Sequence, residues 1–494
     1  MDHRLIGSIA AALLLSGCGA GEIAPAAGER PALHFDPCTL ASTGLPQTVS
    51  ARCTTMEVPE DRARPDGRTI RLAIAVVPAT ARHAEPDPVF MLAGGPGQSA
   101  REAFPLVAGA FRDVLRERDV VLVDQRGTGA SNPLACHDAA GENAFTEGDG
   151  GDVDAARRFA EQCLGQLDGD PRFYTTSEAV RDLDDVRAAV GAARINLVGI
   201  SYGTRVAQEY LRRFPGRTRT VVLDGVVPAG LALGSEHARN LDAALERQFA
   251  RCANDSLCAD RYGAPMATLR ELLARARTSP LRVEFRHPLT DELLEEPLSA
   301  EAVAGVARLH AYVPQLAAML PMTLAEAAAG RPGILLAQRY MMESLVGEQI
   351  MHGMELSVVC SEDADRLVAD PADAGTVMGT GFIDWILAQC LVWPRGARPA
   401  EFREPVRSDV PALLMSGEFD PVTPPRYGER VLQTLPNARH LVARGQGHNV
   451  MTAGCLPRLM ARFIATADAH DLDAGCMDRL IRTPPFTGAY GWEP

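Results

Sequence analysis

The sequence predicts an α/β fold: a mostly parallel β-sheet flanked by helices, with a helical cap inserted over the sheet. Three observations support this prediction. Short apolar segments that end in glycine turns alternate with helical segments in the first half of the chain, helical patterns dominate from about residue 231 to 400, and strand patterns return after that. Strands that alternate with helices are joined by right-handed crossovers, which produces a parallel sheet.

The individual elements follow from the periodicity of apolar residues. A half-buried strand alternates apolar and polar residues, whereas a strand buried on both faces is apolar throughout. The segments that contain a predicted strand are RTIRLAIAVVPA (68–79), DPVFMLAGGPGQS (87–99), RDVVLVDQRGTGAS (118–131), INLVGI (195–200), RTVVLDGVV (219–227), VPALLMSGEFD (410–420) and RHLVARGQGH (439–448). A helix is predicted over SEAVRDLDDVRAAVGA (177–192).

Length and composition restrict the class of protein. With 494 residues, 46% of them hydrophobic, the chain is long enough for one large core plus an insertion. The formal net charge is −14, and an acidic chain without a basic patch argues against nucleic acid as a partner. No group of histidines and cysteines has the spacing of a zinc site. The sequence therefore predicts neither a metal nor another cofactor.

The N-terminus, MDHRLIGSIAAALLLSGCGA, has the features of an export signal. Its apolar core, residues 5–15, is too short to span a bilayer. The segment ends in Leu-Ser-Gly-Cys18, which resembles the bacterial lipoprotein cleavage box, so residues 1–17 are predicted to be a signal peptide and 18–31 a tether. Cys18 would carry a lipid that anchors the exported protein to the bacterial outer membrane. The alternative is an ordinary signal peptide, which would leave the protein free in the periplasm.

Ten cysteines remain after Cys18. An even number of cysteines in an exported chain predicts disulfides. Their connectivity does not follow from the sequence, and pairing neighbours in order is the simplest arrangement because each pair then closes a short loop. The cysteines predicted to form disulfides are Cys38, Cys53, Cys136, Cys163, Cys252, Cys258, Cys360, Cys390, Cys455 and Cys476.

A serine lies between two glycines at the point where a predicted strand turns into a helix. The stretch Gly199-Ile200-Ser201-Tyr202-Gly203 follows the apolar strand and precedes a helical run, GTRVAQEYLRRF. In this context G-x-S-x-G is a nucleophile elbow, a strained turn that exposes the serine Oγ above a parallel sheet. Ser201 is therefore predicted to be a nucleophile, which requires a base and an acid elsewhere in the chain.

Asp420 and His448 are the predicted acid and base. Asp420 ends a strand in LLMSGEFDPVTPP, where the following prolines prevent further pairing, and His448 follows a strand in ARGQGHNV. Active sites of parallel sheets gather at the C-terminal ends of the strands. The order Ser201, Asp420, His448 is that of the triad of α/β-hydrolases. Asp224, at the end of TVVLD, is a rival for the role of the acid.

The glycine-rich loop AGGPG (93–97) is predicted to help form an oxyanion hole. Glycines allow backbone N–H groups to point inward with no Cβ in the way. In this fold one donor is the amide of the residue after the nucleophile, here Tyr202, and the second comes from an earlier loop. Gly95 is the predicted second donor, with Gly94 as the alternative.

Taken together, these motifs resemble a known family. GGPG, DQRGTGAS, GISYGT and GEFDPVTPP…GQGH are similar to motifs of the secreted serine peptidases of the proline iminopeptidase and tripeptidyl aminopeptidase group, which have an α/β-hydrolase fold with a helical cap. The resemblance covers about residues 85–230 and 350–480. Ser201, Asp420 and His448 fall on the triad positions of that family. Ala93 stands where proline iminopeptidases carry a histidine, which favours the tripeptidyl-type branch.

The resemblance implies a serine exopeptidase that acts on the N-terminal end of short peptides through an acyl-enzyme. The expected organisation is a first part of the hydrolase core at 32–230, a helical cap at 231–400 and a C-terminal part of the core at 401–494. A carboxylesterase or lipase with the same triad is the alternative, with Trp385 and Trp393 as candidates for an acyl site. An inactive hydrolase-fold lipoprotein that only binds a ligand is a third possibility.

An exopeptidase must distinguish a free chain end from a chain interior. The free end carries an ammonium group, so a carboxylate near the junction of cap and sheet is the simplest group to recognise it. A substrate whose N-terminus is blocked would leave this carboxylate unpaired and would bind less well. The stretch MELSVVCSEDADR (354–366) is suited to this role. Glu362 is the first predicted substrate-binding acid, followed by Asp363 and Glu355.

Overall fold

The computed structural model describes residues 33–42, 46–137, 152–346, 349–488 and 491. A nine-stranded β-sheet lies at its centre, with the strand order β1-β2-β3-β5-β4-β6-β7-β10-β11. The first three strands of this order pair antiparallel, as do β3 and β5, whereas every pair from β5 onward is parallel. The predicted mostly parallel sheet is thus confirmed. The strands are β1 Asp36–Ala41, β2 Thr48–Pro59, β3 Thr69–Val77, β4 Val89–Leu92, β5 Val120–Val123, β6 Ile195–Ile200, β7 Thr218–Asp224, β10 Ala412–Gly417 and β11 Ala438–Ala443.

The central strands lie deep in the molecule because their sequences are apolar on both faces. β4, β5, β6 and β10 bury every one of their residues. Their side chains alternate between two hydrophobic clusters on opposite sides of the sheet. In β4, Phe90 and Leu92 belong to one cluster, and Val89 and Met91 belong to the other.

Helices cover both faces of this sheet. α1 and α14 pack on one face through Phe104 and Phe463, and α3, α4 and α13 pack on the other face through Val180, Val206 and Val431. The helices connected to the sheet are α1 Ala100–Val107, α2 Val153–Gln166, α3 Thr176–Ala189, α4 Tyr202–Arg213, α13 Pro425–Leu432 and α14 Leu456–Thr466. The β6–α4 turn follows the end of β6 and therefore lies at the C-terminal edge of the parallel strands.

The chain between β7 and β10 is mainly helical. Its helices are α5 His237–Ala253, α6 Ser256–Tyr262, α7 Pro265–Thr278, α8 Ala300–Ala311, α9 Pro314–Ala328, α10 Gly333–Val346, α11 His352–Glu362 and α12 Gly381–Cys390. Several of them share an apolar cluster of their own, which includes Leu245, Leu269, Val303 and Leu320. This region also contains an antiparallel hairpin, β8 Leu281–Arg286 and β9 Leu293–Leu298, which the sequence analysis missed.

Five disulfides pair neighbouring cysteines in order along the chain, as the simplest arrangement predicted. Two of them lie in the helical region, where Cys360–Cys390 ties α11 to the end of α12. Disulfides persist in oxidising compartments, so this framework indicates an exported protein. The five bridges are Cys38–Cys53, Cys136–Cys163, Cys252–Cys258, Cys360–Cys390 and Cys455–Cys476.

The predicted signal peptide (1–17), the lipidation site Cys18 and the predicted tether (18–31) all lie outside the described residues. Within the described part of the chain, none of the helices combines the length and the apolar character needed to cross a membrane. The lipid anchor therefore stays a prediction from the sequence.

Candidate active site

The turn that carries Ser201 is strained and tightly packed. Ser201 directly follows β6 and precedes α4, and its backbone has φ 54° and ψ −122°, a conformation that residues with a side chain rarely adopt. A Cβ at Gly199 would collide with the carbonyl of Gly203, and a Cβ at Gly203 would collide with the carbonyl of Leu92. Both glycines are therefore needed for strand, turn and helix to approach so closely. Backbone strain of this kind clusters at functional sites.

The structure brings Ser201, His448 and Asp420 into one hydrogen-bonded chain. His448 Nδ1 lies 2.8 Å from Asp420 Oδ2, and His448 Nε2 lies 3.0 Å from Ser201 Oγ. A carboxylate only accepts hydrogen bonds, so Nδ1 carries the proton and Nε2 is left to accept from the serine hydroxyl. The three residues follow the C-terminal ends of β6, β10 and β11, parallel strands of one sheet, which explains how positions 247 residues apart meet.

Burial and mutual attraction set the charges of the acid and the base. Burial alone would raise the pKa of Asp420, but the adjacent His448 and hydrogen bonds from the amides of Val422 and Thr423 hold it below its usual range. Burial alone would likewise lower the pKa of His448, but its attraction to Asp420 raises it above the ordinary histidine value. The site therefore favours an ionised Asp420 and stabilises the imidazolium that forms when His448 accepts a proton.

Asp224, the rival acid, has a different task in this geometry. Its carboxylate accepts hydrogen bonds from the backbone amides of Val450 and Met451, at 2.8–2.9 Å, directly after the histidine. The side chain is fully buried, and burial raises its pKa to about 6 although these amides favour the charged form. Asp224 thus holds the loop that carries His448, whereas Asp420 contacts the imidazole itself.

Two contacts to His448 and Asp420 were not found from the sequence. The Thr423 hydroxyl donates to Asp420 Oδ2 at 2.8 Å and lies 3.1 Å from His448 Nδ1. The carbonyl of Tyr312, at the end of α8, accepts from the His448 amide at 2.9 Å, and its ring meets the imidazole edge-on at 5.2 Å. Thr423 lies only three residues after Asp420, so the motif itself offered a signal. Tyr312 comes from the helical region and offered none.

The residues predicted to form an oxyanion hole border the same space as Ser201. Gly95, with φ 100°, and Tyr202 both line the cavity above the serine, and Gly94 lies beneath it, close to the Ser201 Cβ. Tyr202 is the first residue of α4, so its amide has no acceptor inside the helix. The Tyr202 hydroxyl lies 2.6 Å from the Thr176 hydroxyl, which fixes its side chain away from the cavity. This arrangement favours Gly95 over Gly94 as the second donor.

A cavity of about 500 Å³ opens above Ser201 and His448. Its walls are mostly apolar and include Leu231, Val359, Trp385 and Ile386, supplied mainly by the helical region. Trp393, the other candidate for an acyl site, instead packs in the interior, where its indole N–H donates to Ser357 at 3.1 Å. The volume is sufficient for a short peptide or another small organic substrate.

Comparison with known proteins agrees with this geometry. The profile of the α/β-hydrolase fold family matches residues 87–452 of the chain. The protein belongs to the α/β-hydrolase family. The match begins just before β4 and ends just after His448, so it includes Ser201, Asp420 and His448 of this hydrolase.

Three proteins similar to this hydrolase are a serine protease, a tripeptidyl aminopeptidase and a carboxylesterase. The serine protease Hip1 of Mycobacterium tuberculosis is 26% identical over 508 residues, which cover 94% of this chain and 96% of the relative. The tripeptidyl aminopeptidase of Streptomyces lividans is 32% identical over 219 residues, or 42% of this chain and 40% of the relative. Carboxylesterase B of Mycobacterium tuberculosis is 31% identical over 294 residues, or 56% and 54%. The chain is thus similar over nearly its whole length to a serine protease.

Glu362 and Asp363, the first predicted substrate-binding acids, do not line this cavity. Glu362 accepts from the amide and the hydroxyl of Thr176, at 2.7 and 3.0 Å, and lies 3.6 Å from Arg205. Asp363 pairs with Arg205 at 2.7 Å and accepts from the amide of Leu233. Both carboxylates are almost completely buried, and burial raises the pKa of Glu362 to about 7.

The predicted role of Glu362 and Asp363 in amine binding therefore does not fit the structure. Their oxygens are occupied by protein donors, and a substrate ammonium has no route to them. They form a buried network with Arg205 and Thr176 beneath the elbow, since Thr176 also contacts the Tyr202 hydroxyl. The sequence showed two adjacent acids but could not show that helix α4 brings a buried arginine against them.

Glu355, the last of the three predicted acids, does reach the cavity. It lies one turn into α11, lines the cavity wall, and leaves a quarter of its side chain exposed. Its Oε2 lies 3.0 Å from Nδ1 of the fully buried His352, which fixes the orientation of the carboxylate. Arg308, from α8, is a cation on the same cavity wall. The cavity is thus apolar with a few charged groups at defined positions.

Residues of the motif DQRGTGAS form hydrogen bonds that support the elements around the site. Asp124 accepts from the Ser99 hydroxyl at 2.6 Å and from the amides of Arg101 and Ala130, both at 3.1 Å. These bonds fasten the start of α1, which follows the Gly95 loop. Arg126 is completely buried and forms a two-pronged pair with Asp182 of α3, at 2.6 and 2.7 Å. The motif therefore positions the glycine loop and does not contact the cavity.

Proposed function

We propose that this hydrolase is a serine exopeptidase that cleaves short peptides near their free N-terminus. The hydrogen-bonded chain Ser201–His448–Asp420 is the single observation that carries the proposal, because it supplies a nucleophile, a base and an orienting acid in one place. The chain is similar to a serine protease over 94% of its length and to a tripeptidyl aminopeptidase over 42% of it, which supports a peptide substrate.

The reaction follows from the roles of these groups. Ser201 Oγ attacks the scissile carbonyl carbon while His448 Nε2 takes the serine proton. The amides of Gly95 and Tyr202 hold the oxyanion, and one such donor is worth roughly 2.7–4 kcal/mol in the transition state. His448 then gives the proton to the leaving amine as the C–N bond breaks. Water then attacks the carbonyl carbon of the acyl-enzyme and gives a proton to His448. The bond between Ser201 Oγ and that carbon breaks, His448 returns the proton to Oγ, and the acyl fragment leaves as a carboxylic acid.

Glu355 is the residue that we assign to the substrate ammonium group. It is the carboxylate of the cavity wall, and His352 holds it in place. The hydrogen bond to His352 involves Oε2, and in a mostly apolar cavity the negative charge of Glu355 favours a ligand that brings a positive charge. A substrate with an acetylated N-terminus brings no positive charge and would bind more weakly.

An esterase is the second candidate. The apolar cavity and the similarity to carboxylesterase B over about half of the chain favour it. The same triad serves ester hydrolysis, so the substrate-binding wall decides between the two activities. The predicted helical cap at 231–400 is the part of the chain that would make this choice, because residues of this segment, those of α8, α11 and α12 among them, supply most of the wall.

A substrate panel tests the proposal. The purified protein and Ser201→Ala would be assayed with aminoacyl-, prolyl- and tripeptidyl-amides, with their N-acetylated forms, and with short acyl esters. We expect wild type to cleave a free-amine peptide amide much faster than its acetylated form, and Ser201→Ala to lose both the activity and the labelling by a fluorophosphonate probe. Rapid ester cleavage without peptide cleavage would instead establish the esterase.

We also propose that the exported protein is lipid-anchored through Cys18. Stable membrane attachment takes more than one acyl chain, which bacterial lipidation of an N-terminal cysteine supplies. Cys18→Ser is expected to move the protein from the membrane fraction to the soluble fraction of the cell envelope. Membrane association that is unchanged in Cys18→Ser would contradict the anchor and leave export by an ordinary signal peptide.

A further inference from the structure

His237 lies on the wall of the catalytic cavity and has no task in the reaction described above. It is the first residue of α5 and lines the cavity together with Ser201 and His448. Its ring stacks on Phe382 of α12, with the centroids 5.7 Å apart and the planes inclined by 27°. Phe382 in turn carries the Arg308 guanidinium on its ring, 5.2 Å from the centroid. The imidazole is therefore held in a defined orientation by two elements of the helical region.

The Nδ1 atom of the His237 imidazole is buried without a hydrogen bond among the described residues. Buried polar atoms in native proteins nearly always have a partner, so an unpaired one requires an explanation. A buried N–H without an acceptor is rarer than a buried acceptor without a donor. We therefore place the proton of the neutral ring on Nε2, the nitrogen farther from the backbone.

The surroundings keep His237 uncharged. Burial lowers its pKa to about 3, and the positive charge of Arg308 and the neighbouring His448 act in the same direction, against the opposing influence of Asp420. The N-terminus of α5 also disfavours a cation at this position. A neutral imidazole at a cavity wall is a hydrogen-bond donor with a fixed direction, and it does not compete with His448 for protons.

We infer that His237 is a substrate-binding residue whose Nε2–H donates to a backbone carbonyl of the bound peptide. The inference rests on the proposed peptidase function and names a residue that selects its substrate. A peptide entering an apolar cavity loses the water that hydrates its carbonyl groups, so each carbonyl needs a donor from the wall. The scissile carbonyl faces Gly95 and Tyr202, which leaves the next carbonyl of the chain for His237.

This contact distinguishes a peptide from a simple ester. A small acyl ester has one carbonyl, which the oxyanion hole occupies, and it offers nothing to His237. A peptide has a second carbonyl, to which the oriented imidazole of His237 can donate. His237 therefore increases the cleavage of peptides and leaves the cleavage of small esters unchanged.

Three substitutions of His237 test which of its two ring nitrogens binds the substrate carbonyl. The side-chain amide of glutamine places its NH₂ group near the position of Nε2, that of asparagine places it near Nδ1, and phenylalanine keeps the ring without any donor. The variants His237→Gln, His237→Asn and His237→Phe would be compared with wild type on a tripeptidyl amide with a free amine and on a small acetate ester. Thermal melting and the rate of fluorophosphonate labelling at Ser201 report whether each variant is folded and reactive.

We expect His237→Phe and His237→Asn to lower kcat/KM for the peptide about tenfold, the effect of one hydrogen bond to a group left unpaired, mainly through KM. His237→Gln should stay within about threefold of wild type, and all variants should cleave the ester normally. Unchanged peptide cleavage by His237→Phe, rescue by asparagine instead of glutamine, or an equal loss on the ester would each overturn the assignment. A wild-type enzyme that cleaves the ester but no peptide would overturn the proposed function and this inference with it.

Discussion

The sheet edge and the helical region contribute to the site in different ways. The sheet edge provides Ser201, Asp420 and His448 on short turns directly after β6, β10 and β11, and each turn is fixed by backbone contacts at or below about 3 Å. The helical region provides most of the cavity wall, including Glu355, His237 and Trp385, from helices that share a hydrophobic core of their own or pack around a disulfide.

The residues proposed to react and the residues proposed to select the substrate therefore lie in different parts of the molecule. The residues proposed to react lie where parallel strands end, so their spacing depends on the sheet and on tight turns. The groups that contact the rest of the substrate lie on helices that can be changed without disturbing that spacing. Substitutions at the sheet edge should therefore reduce the cleavage of every substrate, whereas substitutions in the helical region should change the ranking of substrates.

The largest expected effect tests the sheet edge. Asp420→Asn should reduce kcat on the order of 10⁴-fold for peptide and ester substrates alike, because the neutral amide no longer orients the imidazole or stabilises the imidazolium. Steady-state kinetics with both substrates measure it. Asp224→Asn is the matched control: it alters a buried carboxylate that bonds to the Val450 and Met451 amides, so it should lower stability and reduce activity far less. A larger loss in Asp224→Asn would reverse the two roles.

Removing one disulfide at a time measures how much each of two bridges in the helical region stabilises the fold. The Cys360–Cys390 bridge spans 30 residues and the Cys252–Cys258 bridge spans 6. The chain-entropy model gives stabilisation of about 3.6 and about 2.2 kcal/mol for loops of these lengths. The variant that lacks Cys360 and Cys390 should thus unfold at the lower urea concentration.

The same disulfide variants also test whether a bridge positions the residues proposed to select the substrate. Cys360–Cys390 connects α11, which carries Glu355, with α12, which carries Phe382 and Trp385. Its removal should therefore also weaken the preference for a free amine, whereas removal of Cys252–Cys258 should not. Equal effects of the two removals on substrate preference would show that the bridge does not position the wall.

A smaller effect is expected for the acid of the helical region. Glu355→Gln should lower kcat/KM for free-amine peptides about 10- to 100-fold, the range for a lost hydrogen bond to a charged group, and should leave N-acetylated peptides and small esters nearly unchanged. Glu362→Gln is the control, since that acid is buried beneath the elbow and should affect all substrates equally. A selective loss in Glu362→Gln instead of Glu355→Gln would restore the interpretation made from the sequence.

The smallest expected effect is a shift in the pH dependence of kcat/KM. His448 must be neutral to accept the serine proton, and Asp420 raises its pKa above the ordinary value of 6.5. The kcat/KM of wild type should therefore fall as the pH is lowered, with a midpoint above 6.5. In Asp420→Asn the residual activity should show a lower midpoint, because the attraction that favours the imidazolium is gone. Identical midpoints would mean that another group controls the acid limb.

The central sheet was predictable from the sequence because burial leaves a local signal. β4, β5, β6 and β10 are apolar throughout, and each lies inside the segment assigned to it. β1 and β2 were not found, because these outer strands leave much of their surface in solvent and lack a continuous apolar run. The hairpin β8–β9 was missed although LRVEFR in β8 alternates apolar and polar residues, the pattern of a half-buried strand.

The sequence by itself determined the groups that we propose to react, since Ser201, Asp420 and His448 each lie in a motif whose glycines or prolines reflect local backbone requirements. Only the tertiary structure decided which charged residues reach the cavity. The sequence favoured Glu362 over Glu355, but Arg205, 157 residues away from Glu362 in sequence, pairs with Glu362 and Asp363 in the interior. His237 and Tyr312 carry no motif and gain their positions from helix packing. A local pattern records how a backbone must turn, whereas the burial of a side chain depends on distant parts of the chain that pack against it.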